Sequence, residues 1–276
     1  LTARGLAKAL EPILRQPVIV TNATGASGAV GHNKVRQTAA DGYTLLFSSL
    51  SFLGGYYMGQ YPFNWRELDP LCSLTDEAVV VVVNASSPVK TLADLLQDMK
   101  ARPGKVSWAY TGAGNSTHLT AEGVRIAAGA DFRGVPYDGG SQVRTAILGG
   151  HVDAACITGG EAWKDAQAGS LRILASSLPK ESPSLPGVKS LKEQGVDFQF
   201  VLWKCLFVPK GTPEAVKTTL AAAMAKAVQD PEFVKLMGGI RSDVRFLPPA
   251  EFTRQLEKDD RQMKELLTAM GLVQAK

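Results

Sequence analysis

Residues 106–128 read VSWAYTGAGNSTHLTAEGVRIAA, and this stretch predicts the architecture that recurs along the chain. Val106–Tyr110 is a short apolar run typical of a buried strand, and Leu119–Ala128 predicts a helix. Thr111–His118, between them, consists mostly of glycine and small polar residues, which form loops. Strand, loop and helix in this order favour an α/β fold.

The same order recurs on both sides of this stretch. Amphipathic helices are expected at the two ends, the first with Leu6 and Leu10 on its apolar face and the last at residues 250–270. Thr91 and Asp94 form a weak capping box at the start of another helix. The other predicted strands are Val18–Val20, Tyr43–Phe47, Val79–Val83, Arg133–Val135, Val152–Ile157 and Leu171–Ala175.

Two strand-like segments bracket the middle of the chain, Val79–Val83 and Leu206–Val208. If both connect two lobes, the chain crosses twice and both ends lie in one lobe. We therefore predict a discontinuous lobe I, residues 1–83 with 209–276, and a lobe II, residues 84–208. Two crossover strands of this kind form a hinge, which suits closure around a ligand in the cleft between the lobes.

Composition excludes several classes of protein. The 276 residues carry a net charge of +4 without a block of five like charges, so no nucleic-acid-binding arm is expected. The longest apolar runs are far shorter than the ~20 residues of a membrane span. The three cysteines, Cys72, Cys156 and Cys205, contain no CxxC motif and allow at most one disulfide, and a Cys72–Cys205 bridge stays open.

Five loops combine Gly, Ser, Thr, Asn and Tyr and contain neither Lys nor Arg. Each follows a predicted strand, where ligands of open α/β sheets bind and where helix N-termini attract anions. Neutral donors of this kind suit a carboxylate. The loops are Thr21–Gly31, Ser48–Gly59, Thr111–His118, Tyr137–Ser141 and Thr158–Gly160.

The candidate ligand-binding residues come from these loops, with one aromatic residue near the second crossover. Thr111–His118 is expected to be the main carboxylate anchor of lobe II, because Gly112 and Gly114 let the backbone amides turn inward. The complete set is Ser48, Ser49, Tyr56, Thr111, Gly112, Asn115, Ser116, Thr117, His118, Tyr137, Thr158 and Trp203.

The motifs of other functions are missing from the sequence. Gly25, Gly28 and Gly31 give GxxGxxG, which matches neither the dinucleotide fingerprint nor the phosphate loop. No GxSxG or HExxH occurs, and His32, His118 and His151 are isolated in the sequence. We therefore nominate no catalytic residue, no metal ligand and no cofactor.

The order of the motifs resembles the Bug-type extracytoplasmic solute receptors of tripartite tricarboxylate transporters. The matching stretches run nearly from end to end of the chain. They include QPVIVTNATGASGAVG, ADGYTLLFSS, PGKVSWAYTGAGNSTHL, VPYDGGSQVRTAILGGHVD and VLWKCLFVPKGTPEAV. Each alone is weak, but together, in this order and spacing, they are specific.

The resemblance implies a two-lobed, class II periplasmic-binding-protein fold. It also implies a periplasmic receptor that captures a di- or tricarboxylate or an aromatic acid, performs no chemistry on it and delivers it to the membrane components of a transporter. We expect a monomer. Family members begin with a strand and a Gly-rich loop, so we expect a leader and a first strand to precede Leu1.

Two positions depart from the family pattern. The chain has Gly25-Ala26-Ser27-Gly28 where the family often has Gly-Ala-Gly-Gly, and Ile157-Thr158 where it often has Asp-Asn. The second departure removes a partner for a ligand's amino group and favours plain carboxylates.

Two alternative functions stay open: an enzyme on the same two-lobed fold, and the ligand-sensing module of a regulator.

Overall fold

The computed structural model describes residues 1–25 and 28–274, and this part of the chain forms two compact units. Unit 1 contains residues 1–76 and the described residues from 203 onward. Unit 2 contains residues 77–202. The chain therefore leaves unit 1 once, builds unit 2 from a continuous segment, and returns.

The helices and strands alternate along most of the chain. The first half contains α1 (Thr2–Leu14), α2 (Ala29–Arg36), β1 (Leu46–Ser49), α3 (Ser51–Tyr57), β2 (Leu68–Glu77), β3 (Val79–Asn84), α4 (Leu92–Ala101), β4 (Ser107–Thr111), α5 (Ser116–Ala128) and β5 (Arg133–Tyr137). The second half contains α6 (Gly140–Leu148), β6 (Ala154–Thr158), α7 (Gly159–Gln167), β7 (Leu171–Ser176), β8 (Leu202–Pro209), α8 (Glu214–Ala227), α9 (Pro231–Gly239), β9 (Ser242–Leu247) and α10 (Pro249–Ala269).

Strand pairing places the unit boundaries at different residues from the predicted ones. β3 was assigned to lobe I, but it pairs with β6 and β7 inside the sheet of unit 2. β8 was assigned to lobe II, but it pairs with β1 in unit 1. Backbone hydrogen bonds hold a strand to its neighbours along its length, so each boundary falls before the bracketing strand and not after it.

Unit 1 is built on a four-stranded sheet in the order β1-β8-β2-β9. Its apolar core lies against α1, α8 and α9, where Leu6, Leu10 and Met224 are buried with Leu206 and Val208 of β8. The apolar face predicted for the first helix therefore packs in this core. Unit 2 has a five-stranded sheet in the order β5-β4-β6-β3-β7, with a separate core that includes Val80, Ala155 and Ile157.

Two local predictions are wrong. Val18–Val20 is not a strand: it pairs with no strand in residues 1–25 and 28–274, and Ile19 is exposed. An apolar run becomes a strand only where a neighbouring strand offers hydrogen bonds. Ser48–Gly59, predicted as a loop, contains the helix α3, because Phe52 and Leu53 are buried and Gly55 lies closely against the Tyr61 ring.

The capping box predicted at the start of a helix is confirmed. Thr91 and Asp94 form the capping box of α4, with Thr91 Oγ1 accepting the Asp94 N–H at 3.1 Å and Asp94 Oδ2 accepting the Thr91 N–H at 2.9 Å. All three cysteines lie in the described part of the chain, where they are buried and unbridged. Among the described helices, none has the length and hydropathy needed to cross a bilayer.

Candidate functional site

Three parallel strands of unit 2 end at the same edge of its sheet. β4 runs parallel to both β5 and β6, and Thr111 at the end of β4 stands beside Tyr137 at the end of β5. Each strand is followed by a helix: α5 after β4, α6 after β5 and α7 after β6. The N-termini of three helices therefore lie at this edge, that of α5 on one face of the sheet and those of α6 and α7 on the other, and their unpaired N–H groups favour an anion.

The loop between β4 and α5 is held in shape by its own side chains. Thr117 Oγ1 accepts the backbone N–H of Thr111 at 2.9 Å and lies 2.7 Å from the Thr111 hydroxyl. The N–H of Gly112 donates to the Tyr137 carbonyl oxygen at 3.0 Å, which ties the loop to β5. Gly114 has a φ of 76°, a backbone conformation that glycine adopts without strain.

His118 supports this loop through a hydrogen bond to its backbone, and the direction of that bond makes the ring neutral. Its Nδ1 accepts the N–H of Gly114 at 3.0 Å, so the ring proton is assigned to Nε2, which faces Glu122 Oε1 at 4.0 Å. The ring stacks on Tyr110 with 4.2 Å between centroids. Burial lowers the pKa of His118, and the Glu122 carboxylate opposes that effect.

The N-termini of α5 and α6 both lack a side-chain cap from the described residues and an acidic first turn, but Glu161 of α7 lies against Gly140 at the start of α6. Asn115, the N-cap residue, is exposed and makes no side-chain capping bond to any described residue. The first turn of α5 contains no acidic residue, and Ser116 is half-exposed. The first amide groups of this helix therefore keep their hydrogen-bonding capacity for a ligand.

The N-terminus of α7 already carries a carboxylate. Glu161 Oε2 accepts the Thr158 hydroxyl at 3.0 Å and the Thr158 N–H at 3.3 Å. Thr158, a predicted ligand-binding residue, therefore directs its hydroxyl to Glu161. At α6 the N–H of Asp138 donates to Gln142 Oε1 at 3.0 Å, and Tyr137 is half-buried at the end of β5.

The predicted residues of unit 1 lie at the end of β1 and in α3. Ser48 is buried, and its hydroxyl lies 2.8 Å from His32 Nε2, whose Nδ1 in turn lies 2.7 Å from the Gly28 carbonyl oxygen. Since a carbonyl only accepts, Nδ1 carries the proton and Ser48 donates to Nε2. Burial lowers the pKa of His32, which keeps the ring neutral.

Sequence reasoning missed this serine–histidine pair, because 16 residues separate its members and no motif connects them. The other candidates of unit 1 are differently placed. The hydroxyls of Ser49 and Ser51 lie 2.8 Å apart, and the Tyr56 ring packs edge-on against Tyr57. Of the loop predicted at Thr21–Gly31, Ala26 and Ser27 lie outside the described residues.

Trp203 is a packing residue of unit 1. Its side chain is buried, its indole N–H donates to Asp259 Oδ2 at 2.7 Å, and its ring meets Phe252 edge-on at 5.4 Å between centroids. The one polar atom of the side chain therefore has a partner inside the unit. We leave Trp203 out of the proposed site.

Residues that could form a metal centre are not grouped in the described part of the chain. No cluster of three or more His, Cys, Asp or Glu side chains with suitable geometry occurs in residues 1–25 and 28–274. The polar groups at this edge of unit 2 are instead N–H and hydroxyl groups, with the carboxylates of Asp138, which follows β5, and Glu161, in the first turn of α7.

The architecture is that of a periplasmic solute-binding protein. A TctC solute-binding protein from Polaromonas has a TM-score of 0.89 and 26% identity, over 97% of this chain and 92% of that one. Two Rhodopseudomonas palustris proteins, each 22% identical, share the fold: one is bound to adipate (TM-score 0.82, 99% of this chain and 92% of that one), and MatC is bound to malate (0.77, 96% and 93%).

Sequence comparison identifies the family. Residues 2–272 match the model of the tripartite tricarboxylate transporter family receptor, and the chain belongs to this family. Protein BugT of Bordetella pertussis is 33% identical over 84% of this chain and 73% of its own length. A UPF0065 protein of Cupriavidus necator is 30% identical over 99% of this chain and 83% of its own length. The predicted family is confirmed.

Proposed function

We propose that this chain is a periplasmic receptor that binds a small carboxylate at the N-terminus of α5 and delivers it, unchanged, to the membrane components of a transporter. One observation carries the proposal: a preformed loop of unit 2 leads into a helix whose first turn has neither a side-chain cap from the described residues nor an acidic side chain. Carboxylates are stabilised at such helix ends.

The relatives support a carboxylate as the ligand class. The family is one of tricarboxylate-transporter receptors, and two proteins with the same fold hold adipate and malate. At the α5 terminus a carboxylate would accept from backbone amides, from Ser116 and from Asn115. Loss of one hydrogen bond to a charged group costs about 1.5–3 kcal/mol, so single residues here are expected to matter.

Calorimetric titration of the full chain against a panel of mono-, di- and tricarboxylates and aromatic acids tests the proposal. We expect at least one panel member to bind, and Ser116→Ala to weaken its binding by about tenfold. Ser170→Ala is a matched control, because Ser170 is an exposed serine just before β7, at the opposite edge of the same sheet. Equal effects of the two variants would contradict the assigned site.

The enzyme alternative has one observation in its favour, the hydrogen-bonded pair Ser48 and His32. A nucleophile and a base within hydrogen-bond reach occur in hydrolases. Mass spectrometry of the ligand after incubation distinguishes the two functions. A receptor returns the ligand unchanged, whereas turnover that is lost in Ser48→Ala would establish an enzyme.

A further inference from the structure

His118 ties the first turn of α5 to the loop that leads into this helix. Its Nδ1 atom accepts the backbone N–H of Gly114 at 3.0 Å. Gly114 lies directly before the N-cap residue Asn115, and α5 begins at Ser116. The imidazole ring therefore spans the position where the chain enters the helix, which is also where the carboxylate is proposed to bind.

The first three N–H groups of α5, those of Ser116, Thr117 and His118, find no acceptor among the described residues. The first backbone bond of the helix runs from the N–H of Leu119 to the Asn115 carbonyl oxygen, at 2.9 Å. N–H groups at a helix start point towards the chain that precedes the helix. A carboxylate at this position would therefore accept from backbone groups whose access depends on the course of the loop.

Gly114 needs an outside contact to hold its conformation. Its φ of 76° lies in the left-handed region, which glycine adopts as readily as other conformations because it has no Cβ atom. The backbone alone therefore does not select this conformation. The bond to His118 fixes the direction of the Gly114 N–H, and with it the peptide plane that joins Ala113 to Gly114.

The ring of His118 is itself held on two sides. One face stacks on Tyr110, near the end of β4, with 4.2 Å between the ring centroids. Nε2 faces Glu122 Oε1 at 4.0 Å, and Arg125 Nε donates to the other oxygen of Glu122 at 2.7 Å. Burial lowers the pKa of His118, so at neutral pH the ring is uncharged and its Nδ1 can accept from Gly114.

We propose that His118 is a positioning residue for the ligand. Its neutral Nδ1 atom holds Gly114 in place, and the loop then leaves the first N–H groups of α5 open towards the ligand carboxylate. The ring acts through Gly114, whereas the sequence predicted a direct contact with the ligand. This inference rests on the proposed function, since it places the carboxylate at α5.

The test replaces His118 with two side chains that differ in one property, the hydrogen-bond acceptor. Asparagine places an oxygen close to the position of Nδ1, whereas leucine has nearly the same size and no acceptor. Calorimetric titrations with adipate and with malate at pH about 7.5 keep the wild-type histidine neutral. We expect His118→Asn to retain most of the wild-type affinity and His118→Leu to bind on the order of tenfold more weakly, the effect of one lost hydrogen bond.

A measurement without ligand follows the Gly114 bond itself. Hydrogen exchange of the Gly114 amide, measured by NMR, is expected to be slow in the wild type and in His118→Asn, and on the order of tenfold faster in His118→Leu. His118→Phe keeps an aromatic ring against Tyr110 and lacks an acceptor. It should match His118→Leu in both measurements, and it decides the test if the leucine variant does not fold.

His151 provides the matched control pair. It is exposed and follows α6 in the same unit, so His151→Asn and His151→Leu are expected to bind ligand equally. Melting temperatures of all variants separate positioning of the ligand site from stabilisation of the helix alone. If His118 only stabilises α5, His118→Asn and His118→Leu differ in melting temperature but have the same affinity.

Two results would overturn the inference, and they can be told apart. Equal affinities of His118→Asn and His118→Leu, or equal exchange of the Gly114 amide in both, reject the positioning role and leave the receptor function in place. A wild type that binds neither adipate nor malate rejects the inference and also counts against the proposed function.

Discussion

Thr117 Oγ1 accepts the backbone N–H of Thr111 at 2.9 Å, and this bond closes the loop between β4 and α5. Both residues were predicted to contact ligand. The structure gives them a different task, because Thr117 is buried and its hydroxyl lies within 2.7 Å of the Thr111 hydroxyl. Ser116, one residue earlier, is half-exposed, and the proposed function assigns its hydroxyl to the ligand. The proposal thus gives two neighbouring residues of one helical turn different roles.

The first prediction separates these two roles. Thr117→Val leaves the Thr111 N–H without its partner, which costs about 1–3 kcal/mol, so we expect a lower melting temperature together with weaker binding. Ser116→Ala is expected to weaken binding with the melting temperature unchanged. Thr117→Ser keeps the hydroxyl and serves as the control. Melting curves and titrations on the same preparations decide, and a Thr117→Val protein as stable as the wild type would refute the structural role.

The second prediction concerns Trp203. Trp203→Phe removes the N–H that donates to Asp259 but keeps most of the packing against Phe252. Gln255 Nε2 still donates to the Asp259 carboxylate at 2.9 Å, so we expect a loss of about 1–2 kcal/mol and no change in ligand affinity. Chemical denaturation and titration measure the two quantities. A weakened affinity at unchanged stability would return Trp203 to the ligand site.

The sequence pattern predicted those parts of the fold that depend on residues close together along the chain. The apolar run before Thr111, the glycine-rich loop and the following helix form one local unit. The five valines Val79–Val83 predicted a central strand because such a run is buried on both faces, and β3 lies between β6 and β7.

The elements that were missed depend on distant residues. β2 contains Asp69, Pro70 and Asp76, a composition that disfavours a strand, yet most of it is buried in the sheet of unit 1. Gly54 and Gly55 predicted a loop, but α3 needs Gly55 because the Tyr61 ring leaves no room for a side chain. The bond of Ser48 to His32 and the contact of Glu161 with α6 likewise arise only when separate elements pack together.

The third prediction concerns acid stability. Burial lowers the pKa of His32 in the folded protein, so as the pH falls the unfolded chain takes up the proton first. The contribution of the neutral His32 ring to stability is therefore fully present above the ordinary histidine pKa of about 6.5, and it is lost as the pH falls below that value. His118, whose pKa is also lowered by burial, acts in the same direction. His32→Gln is expected to show a shallower fall of the unfolding free energy on acidification.

The measurement is the slope of the unfolding free energy between pH about 7.5 and about 5.5, the window in which histidine titrates. If His32→Gln lowers the unfolding free energy by the same amount at every pH, that loss does not change the slope. His151 is exposed, and His151→Gln is the control for removing a histidine as such. If the slopes of His32→Gln and the wild type coincide, the proposed protonation behaviour is wrong.

The fourth prediction concerns the thiols. Burial raises the pKa of Cys156 to about 12 and raises the pKa values of Cys72 and Cys205 as well. Only the thiolate reacts with alkylating agents, so the native protein is expected to resist iodoacetamide at neutral pH. In denaturant all three thiols should react without prior reduction, and mass spectrometry counts the adducts. A single adduct in denaturant, rising to three after reduction, would reveal a disulfide.

The fifth prediction concerns the packing of α5, which carries the proposed site. Gly123 faces the Phe198 ring so closely that a Cβ atom there would overlap it. Gly123→Ala therefore forces the ring or the helix to move, and overpacking of this kind costs about 1–3 kcal/mol, more than the helix propensity that alanine adds. Because the shift displaces α5, we expect weaker ligand binding as well as a lower melting temperature.

Gly238 provides the matched control for Gly123. It also lies in a helix, α9, and nothing approaches the position of its absent Cβ within 4 Å. Gly238→Ala should therefore stabilise unit 1 by about 0.5–1 kcal/mol, the ordinary gain of replacing glycine in a helix, and leave affinity unchanged. A loss of stability in Gly123→Ala together with a gain in Gly238→Ala would establish that contact with Phe198 fixes the position of α5. A Gly123→Ala variant as stable as Gly238→Ala would show that α5 is not held by this contact.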